Sequence, residues 1–139
     1  MKKTFKTFVA VICGVLTLSL TACQKDASEL ILGTWIENEA TYTSTQNGES
    51  ESFSMLEPGE TIEMTFNNDG TYTSIYHAVE GDANDNGTWS INEENITITD
   101  ELSTTVYHID QLDKKACVLS HSETVGTYSS TIVIKMTKK

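Results

Sequence analysis

Apolar and polar residues alternate along most of this chain, with the period of two that is typical of β-strands. The clearest example, Thr61–Phe66, places Ile62, Met64 and Phe66 on one face and threonine and glutamate residues on the other. Asn67-Asn68-Asp69-Gly70 then supplies the Asp-Gly pair that favours a tight hairpin turn. Beyond the N-terminal region no stretch repeats at the helical period, so the pattern predicts an all-β chain.

The same pattern predicts eight or nine short strands, and it predicts a loop at Gly81–Asn86. The predicted strands are Gly33–Thr43, a weaker run at Glu51–Leu56, Thr61–Phe66, Thr71–Val79, Gly87–Ile91, Ile96–Thr99, Ser103–Leu112, Cys117–Ser122 and Thr127–Thr137. Their connections are too short for helical crossovers, and a lone sheet would expose its apolar face to water. We therefore expect a single up-and-down antiparallel β-barrel of about eight strands, with a two-sheet sandwich as the alternative.

The N-terminus has a different pattern, in which three lysines precede the uncharged apolar run Phe8–Leu20. This run is too short to span a membrane as a helix and is typical of a signal peptide. Leu20-Thr21-Ala22-Cys23 resembles the lipobox of bacterial lipoproteins, in which the cysteine is acylated and becomes the new N-terminus. We therefore predict a lipoprotein signal peptide at residues 1–22, a lipidated tether at 23–29 and the barrel domain at 30–139. The alternative is an ordinary signal peptide with a chance cysteine.

The resemblance to lipoproteins also implies a location. Fatty acyl chains such as palmitate on Cys23 would anchor the protein to a membrane, since one chain alone binds only marginally and a second makes release slow. Gln24 stands where an aspartate would indicate retention in the inner membrane. We therefore expect a lipid-anchored protein of the cell envelope, in the outer membrane, facing either the periplasm or the cell surface.

The charge of the chain excludes some partners. All 20 acidic residues lie after the predicted signal peptide, which removes three of the nine basic residues and shifts the net charge from −11 to −14. Such a chain repels phosphate backbones and anionic lipid surfaces, so we expect no nucleic-acid partner and no polybasic docking to a membrane.

The tripeptide Gly-Thr-Trp occurs twice, at Gly33–Trp35 and at Gly87–Trp89. Together with Ile31, the hairpin stretch Phe66–Tyr72 and the continuation to Ile91, it resembles the lipocalin-like domain, and most of all the small lipocalin-like lipoproteins of Gram-negative bacteria. The resemblance covers nearly the whole chain after the signal peptide. It implies a barrel in which both tryptophans are mostly buried, each at the start of a strand.

The resemblance also implies a plug at one end of the barrel. Lipocalins usually stack a late arginine on the first tryptophan, but this chain has no arginine. Lys138 continues the inward parity of Ile132, Ile134 and Met136, so we predict that it packs on Trp35 in place of the arginine. A frayed terminal lysine is the alternative.

Strand parity predicts an uncharged, largely apolar barrel interior. The residues expected to line a ligand site are Phe66, Tyr72, Trp89, Ile91, Leu119 and Ile134. Such a lining suits a small hydrophobic or amphipathic molecule, and we expect a partial cavity open at the end away from Trp35. The same residues could also form a filled core, in which case the barrel would act as an envelope module that contacts proteins or glycans.

The sequence carries no recognisable catalytic motif, so we predict that the protein is not an enzyme. An envelope hydrolase is the third hypothesis. We also expect the protein to be a monomer. His77, His108 and His121 fall in three different strands without the close spacing of a metal site, so we expect no metal and no cofactor. Cys117 alternates with Leu119, which predicts a buried hydrophobic residue and no nucleophile.

A single substitution tests the predicted anchor. Cys23→Ala removes the thiol that would accept the acyl chain, so the precursor should remain uncleaved at that site and should not be acylated. The measurement is metabolic labelling with a fatty acid, combined with the mobility of the precursor and mature bands. Normal labelling and processing of the variant would contradict the lipoprotein prediction.

Overall fold

The computed structural model describes residues 26–139. The predicted signal peptide, Cys23 and the first residues of the tether lie outside the described residues. Residues 26–139 begin with the short helix α1 (Ala27–Leu30), where the sequence predicts the end of the tether. No helix in this part of the chain has the length and hydrophobicity needed to cross a membrane.

The rest of the described chain forms nine antiparallel strands in one sheet. They are β1 (Gly33–Gln46), β2 (Glu49–Ser54), β3 (Thr61–Phe66), β4 (Thr71–Ala78), β5 (Gly81–Asn92), β6 (Asn95–Thr99), β7 (Thr104–Leu112), β8 (Ala116–Val125) and β9 (Tyr128–Lys138). From β3 to β9 each strand pairs with the next along the chain, and β9 pairs back with β1. The sheet is therefore a closed eight-stranded barrel with one additional strand, β2. The predicted up-and-down barrel is confirmed.

Strand β1 has two partners on one side. Its first residues, Gly33–Glu37, pair with β3, whereas Thr41–Gln46 pair with β2. On the other side β1 pairs with β9 along most of its length, with a register shift between Glu37 and Glu39. Such a bulge inserts one extra residue and bends the strand. The second half of β1 therefore leaves β3 and forms a hairpin with β2, while it stays paired with β9 on its other side.

The predicted loop at Gly81–Asn86 is wrong, because these residues form the first half of β5. They pair with β4 from Ala78↔Gly81 to Thr73↔Asn86. Glycine, aspartate and asparagine have low strand propensity, which is why the segment resembles a loop in the sequence. Pairing with β4 across a two-residue connection overrides that local preference.

One end of the barrel, which we call the closed end, is covered by α1, Ile31 and Trp35. Trp35 and Ile31 are fully buried, and the indole N–H of Trp35 donates a hydrogen bond to the Ile31 carbonyl at 2.6 Å. The Lys138 Nζ lies 4.4 Å from the centroid of the Trp35 ring, within the range of a cation–π contact. It also donates hydrogen bonds to the carbonyls of Leu30, at 3.0 Å, and Leu32.

Trp89 differs from the prediction in its place along the strand. It is mostly buried, though less completely than Trp35, and it lies in the second half of β5 because the strand begins at Gly81. Its indole N–H donates to the carbonyls of Asn67 and Thr71, at 3.1 and 3.0 Å, on either side of the predicted hairpin turn. Its ring meets Phe66 edge-on, with 5.7 Å between the centroids. Trp89 thus fixes the β3–β4 turn against the barrel.

The two glycines of the repeated tripeptide are needed for different reasons. Gly33 has a φ of +103°, in the region that side-chain-bearing residues rarely adopt. Gly87 lies so close to β6 that a Cβ atom there would come within 1.9 Å of the Thr99 carbonyl oxygen. The first glycine therefore allows a turn into β1, and the second allows close approach of two strands.

The fully buried core lies near the closed end. Its large members are Trp35, Phe66, Ile31, Ile96, Leu119, Met136 and Cys117. Burial raises the pKa of the Cys117 thiol to about 12, so the thiol stays neutral and unreactive. The prediction that Cys117 is a buried hydrophobic residue is confirmed.

The two tryptophans should contribute unequally to stability. Trp35→Ala should lower the free energy of unfolding by about 3–5 kcal/mol, the usual loss for a large buried aromatic residue. Trp89→Ala should cost less, because Trp89 is less completely buried than Trp35. Urea denaturation measures both values. As a control, Trp35→Phe keeps most of the buried volume and should cost less than Trp35→Ala; an equal loss for both tryptophans would contradict the proposed role of the closed end.

Candidate functional site

A cavity of about 270 Å³ occupies the barrel interior on the side away from the closed end. Its wall includes Met55, which follows β2, and Asp100 and Ser103 of the β6–β7 connection. These segments lie at the end of the barrel opposite α1, so the cavity opens at that end. The apolar part of the lining consists of Met55, Ile62, Met64, Ile98, Leu119, Ile134 and Met136.

The structure divides the six predicted lining residues into two groups. Tyr72, Leu119 and Ile134 line the cavity. Phe66, Trp89 and Ile91 do not reach it, because they pack together in the core beneath. Phe66 and Trp89 fill the closed half of the barrel, whereas the cavity wall consists of aliphatic, methionine, tyrosine and polar side chains.

The expectation of an uncharged interior is wrong, because Glu37 lies inside the barrel. Glu37 has the same strand parity as Trp35, and only 5% of it is exposed. Its backbone neighbours across the sheet are Ile62 and Met136, both of which also line the cavity. The parity of β1 was the signal that could have located Glu37. A glutamate is rarely buried without a partner, which makes this inward position unusual.

The Glu37 carboxyl faces an apolar cavity wall. Within residues 26–139 it has no hydrogen-bond partner and no ion-pair partner. Burial alone raises its pKa from 4.5 to about 7, because a charged carboxylate is poorly solvated there. The pKa of Tyr107, on β7, is raised first by burial and second by the charge of the Glu37 carboxylate.

Two further acids lie nearer the opening. Asp85 of β5 accepts a weak hydrogen bond from the Tyr72 hydroxyl at 3.4 Å. Asp100 accepts hydrogen bonds from the backbone N–H groups of Leu102 and Ser103, each at 2.7 Å, and these bonds lower its pKa. The cavity lining contains three carboxyl groups and no lysine, arginine or histidine. It therefore presents negative charge without a compensating cation.

The histidine and hydroxyl side chains on and around the barrel make local contacts. None of the three histidines lines the cavity: His77 contacts Asp82 at 3.1 Å, and His121 contacts the Val106 carbonyl at 2.8 Å. The Ser103 hydroxyl donates to Asp100, but that carboxylate has a lowered pKa and already caps a turn, which makes it a poor base. In the described part of the chain, no cluster of three metal-binding side chains occurs.

The burial of Glu37 should make stability depend on pH. A folded-state pKa raised from 4.5 to about 7 means that the folded state favours the protonated form, so stability falls as the pH rises through this window. Glu37→Gln should remove this dependence and raise stability by up to about 3 kcal/mol at about pH 8, with little change at about pH 4. Denaturant unfolding at several pH values measures the effect.

The exposed Glu39, on the outer face of the same strand, supplies the matched control. Glu39→Gln should leave the pH dependence of unfolding as it is in the wild type. If both variants showed the wild-type dependence, Glu37 would not be ionising inside the barrel.

Comparisons with solved structures show the fold. A lipocalin-like protein from Bacteroides uniformis has a TM-score of 0.50 and 13% identity, over 79% of this chain and 99% of that one. Lobster apocrustacyanin A1 has a TM-score of 0.51 and 16% identity, over 86% of this chain and 64% of that one. Apocrustacyanin C1 has a TM-score of 0.54 and 18% identity, covering 85% and 66%. This chain therefore spans about two thirds of the crustacyanin chains.

Comparisons of sequence give the family. No curated protein matches the chain at a significant level. The family model for the lipocalin-like domain, in contrast, matches residues 31–119, which include both Gly-Thr-Trp tripeptides, the β3–β4 hairpin and most of the cavity wall. By this match, the chain belongs to the lipocalin-like domain family.

Proposed function

We propose that the protein is a membrane-anchored, non-enzymatic lipocalin-like lipoprotein that holds a small hydrophobic or amphipathic molecule in its barrel. The observation that carries this proposal is the open cavity of about 270 Å³ with its largely apolar wall. Ligand pockets usually have about 300–1,000 Å³. The volume therefore favours a small ligand or one part of a larger one.

The lining supports an amphipathic ligand. Seven apolar side chains and two tyrosines supply the surface against which an apolar body would be buried, a contribution of about 25 cal/mol per Å². Serine, threonine and carboxyl oxygens lie among them and would orient a polar group. A few polar groups within an apolar wall are typical of small-molecule sites.

The proposed anchor is compatible with ligand entry. Cys23 precedes α1 by only four residues, which span at most about 14 Å when fully extended. Since α1 covers the closed end, acylation of Cys23 would hold that end towards the membrane. The cavity would then open away from the lipid, into the aqueous phase of the periplasm or outside the cell.

A specific observation also favours the alternative, a module that contacts other envelope molecules. The β1–β2 hairpin carries Phe53, which is 58% exposed and packs on the half-buried Tyr42 at 5.0 Å between ring centroids. Aromatic residues are enriched at protein interfaces, so an exposed phenylalanine on this hairpin offers a contact surface. This candidate would be preferred if the barrel bound no small molecule.

Blocking the cavity tests the leading proposal. Naphthalene, a neutral fluorescent molecule of suitable size, should bind the purified protein saturably. Ile98→Trp places a large side chain at a cavity-lining position and should therefore weaken binding by about tenfold or more. A tenfold loss of affinity corresponds to ~1.4 kcal/mol. Fluorescence titration measures the affinity, and circular dichroism checks the fold.

Val106→Trp is the matched control, because Val106 is an exposed residue outside the cavity. It should leave naphthalene binding unchanged. The absence of saturable binding to the wild type would overturn the proposal and favour the interaction module.

A further inference from the structure

Glu37 lies at the floor of the cavity, two residues along β1 from the tryptophan that plugs the closed end. Successive residues of a strand rise by about 3.3 Å, so Glu37 stands one inward position above Trp35. Burying an unpaired carboxyl is costly, and Glu37 is both buried and without a hydrogen-bond partner in the described part of the chain. A carboxyl in such a position is suited to accept a hydrogen bond from a donor group of a bound molecule.

The charge around the cavity indicates which donor fits. Asp85 and Asp100 add negative charge nearer the opening, and no basic side chain lines the wall. Clefts lined by one sign of charge concentrate ligands of the opposite sign and repel those of the same sign. A carboxylate or phosphate at the cavity floor would meet three acids, whereas a cation would neutralise Glu37.

The volume limits the size of the ligand. About 270 Å³ lies just below the usual range of ligand pockets, which is about 300–1,000 Å³. That volume suits a small ligand, such as a short alkyl chain or one ring with a substituent.

From these observations we infer that the cavity selects a small apolar molecule with a protonated amine, and that the ammonium group binds Glu37 at the cavity floor. This inference rests on the proposed ligand-binding function and specifies its ligand class. A charge-assisted hydrogen bond between ammonium and carboxylate is about twice as strong as a neutral one, and burial of Glu37 in a surrounding less polar than water strengthens it further.

Glu37 is the group whose charge changes near neutral pH. The other titratable or charged groups that line the cavity or neighbour its floor are Tyr72 on β4, Asp85 on β5, Asp100 after β6, Tyr107 on β7, Cys117 on β8 and Lys138 on β9. The residues of β3 that line the cavity, Ile62 and Met64, do not titrate. The tyrosines and Cys117 have raised pKa values and stay neutral, and Asp100 has a lowered pKa and stays charged. Ammonium binding should therefore strengthen as Glu37 ionises with rising pH.

Three ligands with the same alkyl chain test the inference. Isothermal titration calorimetry of the purified full chain would use n-octylammonium, n-octanol and n-nonanoate, which all carry an eight-carbon alkyl chain, at about pH 8. Octylammonium should bind about tenfold or more tightly than octanol, and nonanoate should bind most weakly. The preference for octylammonium over octanol should shrink about tenfold or more at about pH 5, where Glu37 is protonated and the amine remains charged.

Glu37→Gln should abolish the preference for octylammonium and keep octanol binding, whereas Glu39→Gln on the outer face should leave both unchanged. If Glu37→Gln fails to fold, the pH dependence of the wild type decides the question. Equal affinities for octanol and octylammonium would overturn this inference while leaving the proposed function intact. Failure of naphthalene and of all three octyl compounds to bind would overturn the proposed function itself.

Discussion

The pairing of β1 with β9 is the interaction on which the rest of the structure depends. A sheet that twists and curls without closing leaves two edges of unpaired backbone groups, and closure removes them. Here the first strand of the barrel meets the last, so the pairing joins residues nearly a full chain length apart. Trp35 lies at that junction, with Ile31 beneath its indole N–H and Lys138 over its ring. The closed end therefore joins the entry of the chain, its first strand and its last strand in one packed unit.

Closure at one end explains why the cavity lies at the other. Trp35, Phe66 and Trp89 fill the cross-section near α1, and an eight-stranded barrel is just wide enough for such side chains to fill it. Towards the opposite end β1 departs from β3 to pair with β2, and the cavity occupies the barrel interior. The half of the barrel near the closed end is therefore packed core, and the other half contains the cavity. Stability is concentrated in the first part, and ligand binding is proposed for the second.

Glu37 stands at the boundary between these two parts. Its carboxyl is buried by the same closure that buries Trp35, because both side chains point inward from β1. Burial raises its pKa to about 7, so ionised Glu37 lowers stability at neutral pH. Local costs of this kind are often found where a protein binds or reacts with another molecule. The structure thus combines a stable closed end with a buried carboxyl whose charge a bound cation would neutralise.

Alternation and turn chemistry are local properties of the sequence, so they predicted most of the strands, the β3–β4 turn and most of the inward faces. The sequence also indicated the positions of Trp35 and Lys138 through parity and family resemblance. It could not show that Gly81–Asn86 extends along β4, because a partner strand overrides the weak local propensity of those residues. Nor could it show that Phe66 and Ile91 lie below the cavity. Those outcomes depend on how the inward side chains share a closed volume in three dimensions.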